Sequence, residues 1–468
     1  MVFSSLTFLC VFLPVAFLAG LLLPGMRAKN IALAVLSLVF YAYGEPVYVL
    51  LMLVSSVANW LLGLAMGRVA HARGGRAALA AAVVVNLGFL GFFKYAGMFT
   101  DTLDAALGLA LAAPDVSLPI GISFYTFQAL SYVIDVYRGE VPAQRSYLKV
   151  LLYISFFPQL IAGPIVKYHD VAEQIDRRSI TLAGVASGAR RFCFGLGKKV
   201  LVANVMAVAV DSVFGADLSE VNIAVAWIGA VAYVMQIYFD FSGYSDMAIG
   251  LARMFGFEYK ENFRYPYAAT TVKEFWRRWH ISLSTWFRTY LYFPLGGNRK
   301  GRPRTVLNKL IVFFCCGLWH GAAWTFVVWG LIHGFFLLLE EYLPIHRLPK
   351  PAGWLYTMLV VTFAFVLFRA DDFTQGLYFM GQMVCGLHFE AACTSLAMQQ
   401  LTPEFLVTLL VGVVAASPVK CTIESRALAS AHAGAWESLS YIAAFALLVV
   451  CLLSLSGGGY NPFIYFRF

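Results

Sequence analysis

Apolar runs long enough to cross a bilayer recur from one end of this sequence to the other. At about 20 residues per helical span, they fall near 6–24, 31–43, 46–66, 77–99, 117–137, 148–166, 195–213 and 222–254. Others follow near 305–325, 326–343, 353–369, 404–417 and 436–456. The runs are continuous rather than alternating, which selects helices over a barrel, the two structures that satisfy every backbone group in lipid. With 60% of residues hydrophobic and 13% charged, a chain of this size has too little charged surface to stay dispersed in water. The expected fold is all-α, a polytopic membrane protein of roughly ten to thirteen spans with additional re-entrant or interfacial helices. No basic stretch precedes the first run, LTFLCVFLPVAFLAGLLLP, so it is expected to be a retained span rather than a leader.

The net charge of +9 is spread over short basic clusters between apolar runs, which is the pattern of cytoplasmic loops and not of a nucleic-acid surface. Lipid is the expected partner. Arg27 and Lys29, then Arg68, His71, Arg73 and Arg76, place these loops in the cytoplasm and the N-terminus outside, while Asp101, Asp104 and Asp115 mark an external loop. Arg138, Arg145 and Lys149 are expected on the cytoplasmic side again, as are Arg190, Arg191, Lys198 and Lys199. Eight cysteines lie mostly within apolar segments, with no CxxC or CxxxC pair and no histidine at zinc-ligand spacing. They read as small core hydrophobes, and no metal is expected.

Four stretches carry candidate chemistry. Residues 221–255 are too long for one straight span and hold Asp240, Gly243 and Asp246 near the middle, which predicts a break or re-entrant turn at FSGYS. Broken backbone at membrane depth needs protein or a water-filled cavity around it, so Asp240, Ser242 and Tyr244 are expected to line a tunnel, with pairing of Asp240 to a nearby arginine as the alternative. The stretch KEFWRRWHISLSTWF (273–287) reads as one amphipathic helix with Trp276, His280, Leu283 and Phe287 on a single face. An interfacial helix explains it, with tryptophans at headgroup depth and arginines on phosphate, but His280 then sits on the apolar side, where an ionisable group is costly. YLYFPLGGNRKGRPR (290–304) is a basic loop or the rim of a site for a polyanion. In CCGLWHGAAWTFVVWGLIHG (315–334), His320 lies in an apolar run beside Trp319 and Trp324, next to a small-residue cleft of Gly321, Ala322 and Ala323. A metal shared with His333 is improbable on one straight helix, because the two point some 140° apart at about 100° per residue. After GGG at 457–459, YNPFIYFRF reads as an anchored tail.

QIYFDFSGYSDMAIGLARMFGF, NFRYPY, EFWRRWHISLSTWFRTYLYFPLGGNRKG and GLWHGAAWTFVVWGLIHG, in that order, resemble the membrane-bound O-acyltransferase family, most closely its bacterial polysaccharide branch, typified by the alginate O-acetyltransferase membrane subunit. The likeness is strong over 117–340, which it marks as a catalytic core within a single domain, between N-terminal spans (1–116) and C-terminal spans (341–468). It implies a tunnel with a cytoplasmic mouth for the acyl donor and an outer mouth for the acceptor. It also implies a catalytic histidine at His320 and a second family position at His280, a bacterial inner-membrane location, acetyl-CoA as co-substrate with no permanently bound cofactor, and an extracytoplasmic partner with its own Ser/His hydrolase-type (SGNH) site.

On this reading His320 is the general base for a hydroxyl attacking a thioester, and His280 polarises the carbonyl or holds donor and acceptor in line. Lys273, Arg277 and Arg278 are candidate CoA contacts, with lipid phosphate as the alternative. Trp319 and Trp324 are expected beside the tunnel. Two other functions stay open: a D-alanyl transferase acting on teichoic acid from a charged carrier, and a transporter or channel, since broken helices and intramembrane carboxylates also mark substrate pathways.

Overall fold

The computed structural model describes residues 1–69, 73–108, 112, 116–430 and 432–464; His71, Asp115 and the last four residues of the tail lie outside the described residues. All regular elements described are helical, and the chain is a multi-pass membrane protein. Among the described residues, eight helices are long and apolar enough to cross a bilayer, or nine if Ala391–Gln400 and Pro403–Ala416, bent by 62°, form one span. This is fewer than expected from hydrophobic runs alone. The run at 148–166 fails because Tyr147–Ser155 stops at Phe156, and Pro158, with no N–H to give, fits only the first turn of the short helix that follows. The run at 117–137 becomes Ile122–Arg138, whose Gln128, Ser131 and Asp135 are buried in protein rather than set in lipid.

The chain packs as two compact units, Met1–Phe192 with Ser245–Lys260, and Cys193–Tyr244 with Glu261–Phe468. In the first unit, polar side chains on apolar helices satisfy one another. The carboxamides of Asn59 and Asn86 exchange hydrogen bonds of 3.1 and 2.7 Å, Asn30 Nδ2 donates to the Ile175 carbonyl, and Arg191 binds Asp246 at 2.8 Å.

The second unit carries most of the quoted motifs, along six helices: α1 (Ile223–Met254, whose last turns belong to the first unit), α2 (Val272–Arg278), α3 (Ile281–Phe287), α4 (Arg302–His320), α5 (Trp324–Tyr342) and α6 (Lys350–Arg369). The expected break at FSGYS is absent, since α1 is continuous through it. Gly243 serves packing instead: a Cβ there would stand 2.8 Å from the Gly195 carbonyl oxygen, so only glycine lets α1 lie against the Leu182–Phe214 span. That contact delivers Lys199 to Asp240, with Nζ 3.0 Å from Oδ1 and both side chains at most 2% exposed. Lys199, expected in a cytoplasmic loop, is thus a buried partner within a helical run, and the partner of Asp240 is a lysine rather than an arginine. The same pair anchors the tail: Lys199 also donates to the Pro462 carbonyl, and the Ile464 N–H donates to Asp240 Oδ2 at 2.9 Å.

Helices α4 and α5 form a hairpin whose backbones touch. A Cβ on Gly317 would stand 2.4 Å from the Phe326 carbonyl oxygen and one on Gly330 2.3 Å from that of Phe313, the small-residue contact that lets membrane helices pack closely. The Gly321–Ala323 segment is the tight turn of this hairpin rather than a cleft, because a Cβ at Gly321 would collide with the Phe326 ring at 2.1 Å.

Lys199→Met strands a buried carboxylate, an uncompensated charge that costs about 3–5 kcal/mol. It should lower the thermal transition of the detergent-purified protein markedly, and Lys199→Met combined with Asp240→Leu should recover most of the loss.

Candidate active site

The stretch 273–287 is not one helix. It divides into α2 and α3 at His280, whose backbone is left-handed at φ 43°, ψ 55°, a conformation that costs a non-glycine residue about 1–3 kcal/mol and clusters at functional sites. The residues before the break explain it. Arg264 N–H donates to the Arg278 carbonyl and Ile281 N–H to the Asn262 carbonyl, each at 2.9 Å, so the 262–264 strand of chain takes the hydrogen bonds that a continuous helix would have made. Glu340, from α5, caps the start of α2 by accepting from the N–H groups of Val272 and Lys273.

The break turns the aromatic face inward. Phe275, Trp276, Trp279, Leu283, Trp286 and Phe287 are all buried, so the tryptophans pack within the protein rather than facing lipid headgroups. His280 is fully buried and its ring is held from one side. Asn262 Oδ1 accepts from the Ser282 N–H at 3.2 Å and the Ser282 hydroxyl at 2.9 Å, so that atom is the amide oxygen, and His280 Nδ1, 3.2 Å away, must be the N–H that donates to it. Nε2 is then the lone-pair nitrogen, with no hydrogen-bond partner among the described residues. Burial pushes the imidazole pKa down to about 3, which keeps it neutral.

His320 is the last residue of α4 and is 7% exposed. The fold brings it to His280: the two ring centroids are 6.4 Å apart, with planes at 67°. Trp319 packs on both rings, at 5.7 Å from His280 and 5.0 Å from His320. Trp329 and Phe368 meet His320 at 4.9 and 5.3 Å, and Phe241 meets His280 edge-on at 4.6 Å. His333 lies on α5, not on the helix of His320, and packs on Trp329 from its own position at 5.0 Å.

Two cavities flank this pair. A chamber of about 10 Å³ is lined by His320 and by Ile237, Phe241, Trp279, Trp329, Phe365 and Phe368, with Ile464 of the tail against it. A cleft of about 230 Å³ is lined by apolar groups that include Trp276, Phe287 and Cys316, and carries Lys273, Arg288 and Lys309, the last paired with Glu341, which lines the cleft as well. Cys316 is one helical turn before His320 on α4, so the cleft ends on the face of the helix that carries the histidine.

The other residues singled out from the sequence fall as follows. Lys273 lines the cleft, whereas Arg278 is held by Glu274 at 2.6 Å and by the Arg264 carbonyl, and Arg277 is exposed and outside the cleft lining. Asp240, Ser242 and Tyr244 are buried but outside the chamber lining, which α1 supplies through Ile237 and Phe241. Trp324 opens α5 at 53% exposure and lines neither cavity. Sequence reasoning missed Asn262 and Ile464. The first stood within the quoted NFRYPY motif without a role, and the second in the tail.

Residues 140–370 match the sequence pattern of the membrane-bound O-acyltransferase family. The full chain is 38% identical to the full length of the probable alginate O-acetylase AlgI of Pseudomonas putida. The chain belongs to the membrane-bound O-acyltransferase family. It is therefore an enzyme, an O-acyltransferase. It is also 35% identical, over 84% of the chain and 81% of the relative, to the peptidoglycan O-acetyltransferase of Helicobacter pylori. Likeness to the teichoic acid D-alanyltransferase of Bacillus subtilis is lower, 27% over 53% of the chain and 67% of the relative.

For this acyltransferase, Asn262→Ala should release the His280 tautomer and lower kcat by about 10²-fold, the size of loss that misplacing a positioning group can cause, while the KM for donor stays within a few-fold. Because His280 is neutral at every pH well above 3, its titration should not appear in the pH–rate profile between about pH 5 and 8. Its stability contribution has the opposite sense to a salt-bridged histidine: the unfolded ring binds a proton near pH 6.5 and the folded one does not, so stability falls as pH drops below that value.

Proposed function

We propose that this acyltransferase moves acetyl from acetyl-CoA to a hydroxyl at the His280–His320 pair, for O-acetylation of a polysaccharide outside the bacterial inner membrane, directly or through an extracytoplasmic partner that carries its own hydrolase-type site. The observation that carries the reading is the cleft with Lys273 and Arg288, beside the Lys309–Glu341 pair, which ends one helical turn from His320. An apolar groove suits the pantetheine arm, cationic groups suit the phosphates, and the thioester end of a donor lying there meets the histidine. The names of the full-length relatives, an alginate O-acetylase and a peptidoglycan O-acetyltransferase, support acetyl as the group and polysaccharide as its destination.

In the proposed reaction the acceptor oxygen bonds the thioester carbonyl carbon as its proton passes to His320, the C–S bond breaks, and the thiolate leaves and takes the proton back. His280 is too weak a base at its buried site to be the proton acceptor near neutral pH. Its Nε2 lone pair accepts a hydrogen bond and donates none, which favours positioning over carbonyl polarisation of its two expected roles. D-alanyl transfer is disfavoured by the chamber beside His320, whose lining offers no carboxylate to an ammonium group.

With purified enzyme and radiolabelled acetyl-CoA, label should pass to an added hydroxyl acceptor or to water, and His320→Ala should lower the rate by about 10²–10⁴-fold with the fold intact. Charge reversal at Lys273 and Arg288 should raise the KM for acetyl-CoA and leave that for acetyl-pantetheine, which lacks the nucleotide phosphates, largely unchanged. An unaltered rate in His320→Ala, or a requirement for an aminoacylated carrier protein, would sink the reading.

A further inference from the structure

We propose that the chamber beside His320 is an acyl-size filter, and that Phe365 and Ile237 are the residues that restrict the donor to a two-carbon acyl group. The inference rests on the reading of the site as one that accepts an acyl thioester. The chamber leaves about 10 Å³, close to the smallest volume that holds one water molecule, beside the imidazole that must meet the reacting carbonyl. Its walls come from three helices, α1 (Ile237, Phe241), α5 (Trp329) and α6 (Phe365, Phe368), together with Trp279 at the α2–α3 break.

These walls are not free to retreat. Phe365 is 1% exposed and Ile237 5%, and the Phe365 ring is wedged against Trp279 at 5.3 Å, Phe368 at 6.3 Å and Tyr233 at 6.3 Å. A methyl group enters such a space at small cost, whereas each added methylene must displace a packed ring, and a close-packed interior resists that. A hydrophobic pocket separates neighbours that differ by one methylene by about 10–200-fold. The remaining walls are unsuited to setting size by themselves, because Trp329, Phe368 and Phe241 pack on the two histidines and serve to hold them. The ring contacts of Phe365 include neither histidine, so its size is separable from the geometry of the pair, whereas Trp279, whose ring also touches neither, directly precedes His280 at the break.

The test compares acetyl-, propionyl- and butyryl-CoA by release of free CoA thiol from the full-length enzyme. Wild type should prefer acetyl over butyryl by at least about 100-fold in kcat/KM. Phe365→Ala should cut that ratio at least about tenfold, through gain of butyryl turnover. Ile237→Ala, which removes three carbons from another wall residue, should do the same and serves if Phe365→Ala does not fold. The filter is overturned if wild type uses butyryl-CoA as well as acetyl-CoA, or if a folded variant keeps the wild-type ratio. If wild type consumes none of the three thioesters, the acyl-CoA reading itself fails and the filter falls with it; acetyl turnover with an unchanged ratio in the variants defeats the filter alone.

Discussion

The amide oxygen of Asn262 accepts from the His280 ring, the Ser282 backbone and the Ser282 hydroxyl, and the geometry of the site depends on it. In an apolar interior each polar group needs a partner within the protein. At 262–282 that requirement stops a helix, holds a histidine in a left-handed backbone and chooses which of its nitrogens carries the proton. The backbone bonds of Asn262 and Arg264 to Ile281 and Arg278 make the break part of the fold rather than a defect in it.

The same requirement recurs away from the histidines. Lys199 and Asp240 neutralise each other and between them take the backbone of Pro462 and Ile464, so the end of the chain is tied to the centre of the second unit. Asn59 and Asn86 close a pair in the first unit. In each case a group that looks functional by its depth in the sequence pattern has a structural partner. His280 differs, since Nδ1 is bound and Nε2 has no hydrogen-bond partner among the described residues.

Much was legible in the residues. The helical class, the membrane setting and the family followed from continuous apolar runs and from motifs in a fixed order, and His280 and His320 stood out as ionisable groups in apolar company. The errors share one cause. Period-3.6 patterning assumes that a helix continues, and it read through the break at His280 while inventing one at Gly243. The pattern around 280 is helical on both sides, and what interrupts it is Asn262, a residue outside the window. At Gly243 the small side chain answers a neighbouring backbone, at 2.8 Å from a Cβ position, that no local pattern contains. Arg278 illustrates the same limit, because its charge suggested phosphate and Glu274, one turn earlier, already holds it.

Sequence alone determined that this chain is a helical membrane enzyme of the O-acyltransferase family with two histidines as its chemical candidates, because hydropathy, residue type and motif order are properties of the chain itself. Tertiary structure decided that the histidines meet, with ring centroids 6.4 Å apart although 40 positions separate them in sequence. It also decided which His280 nitrogen is available, which basic residues share the cleft, and how little space lies beside His320. Those depend on distances between segments remote in sequence, set by glycine contacts, buried pairs and aromatic packing that only the folded chain brings together.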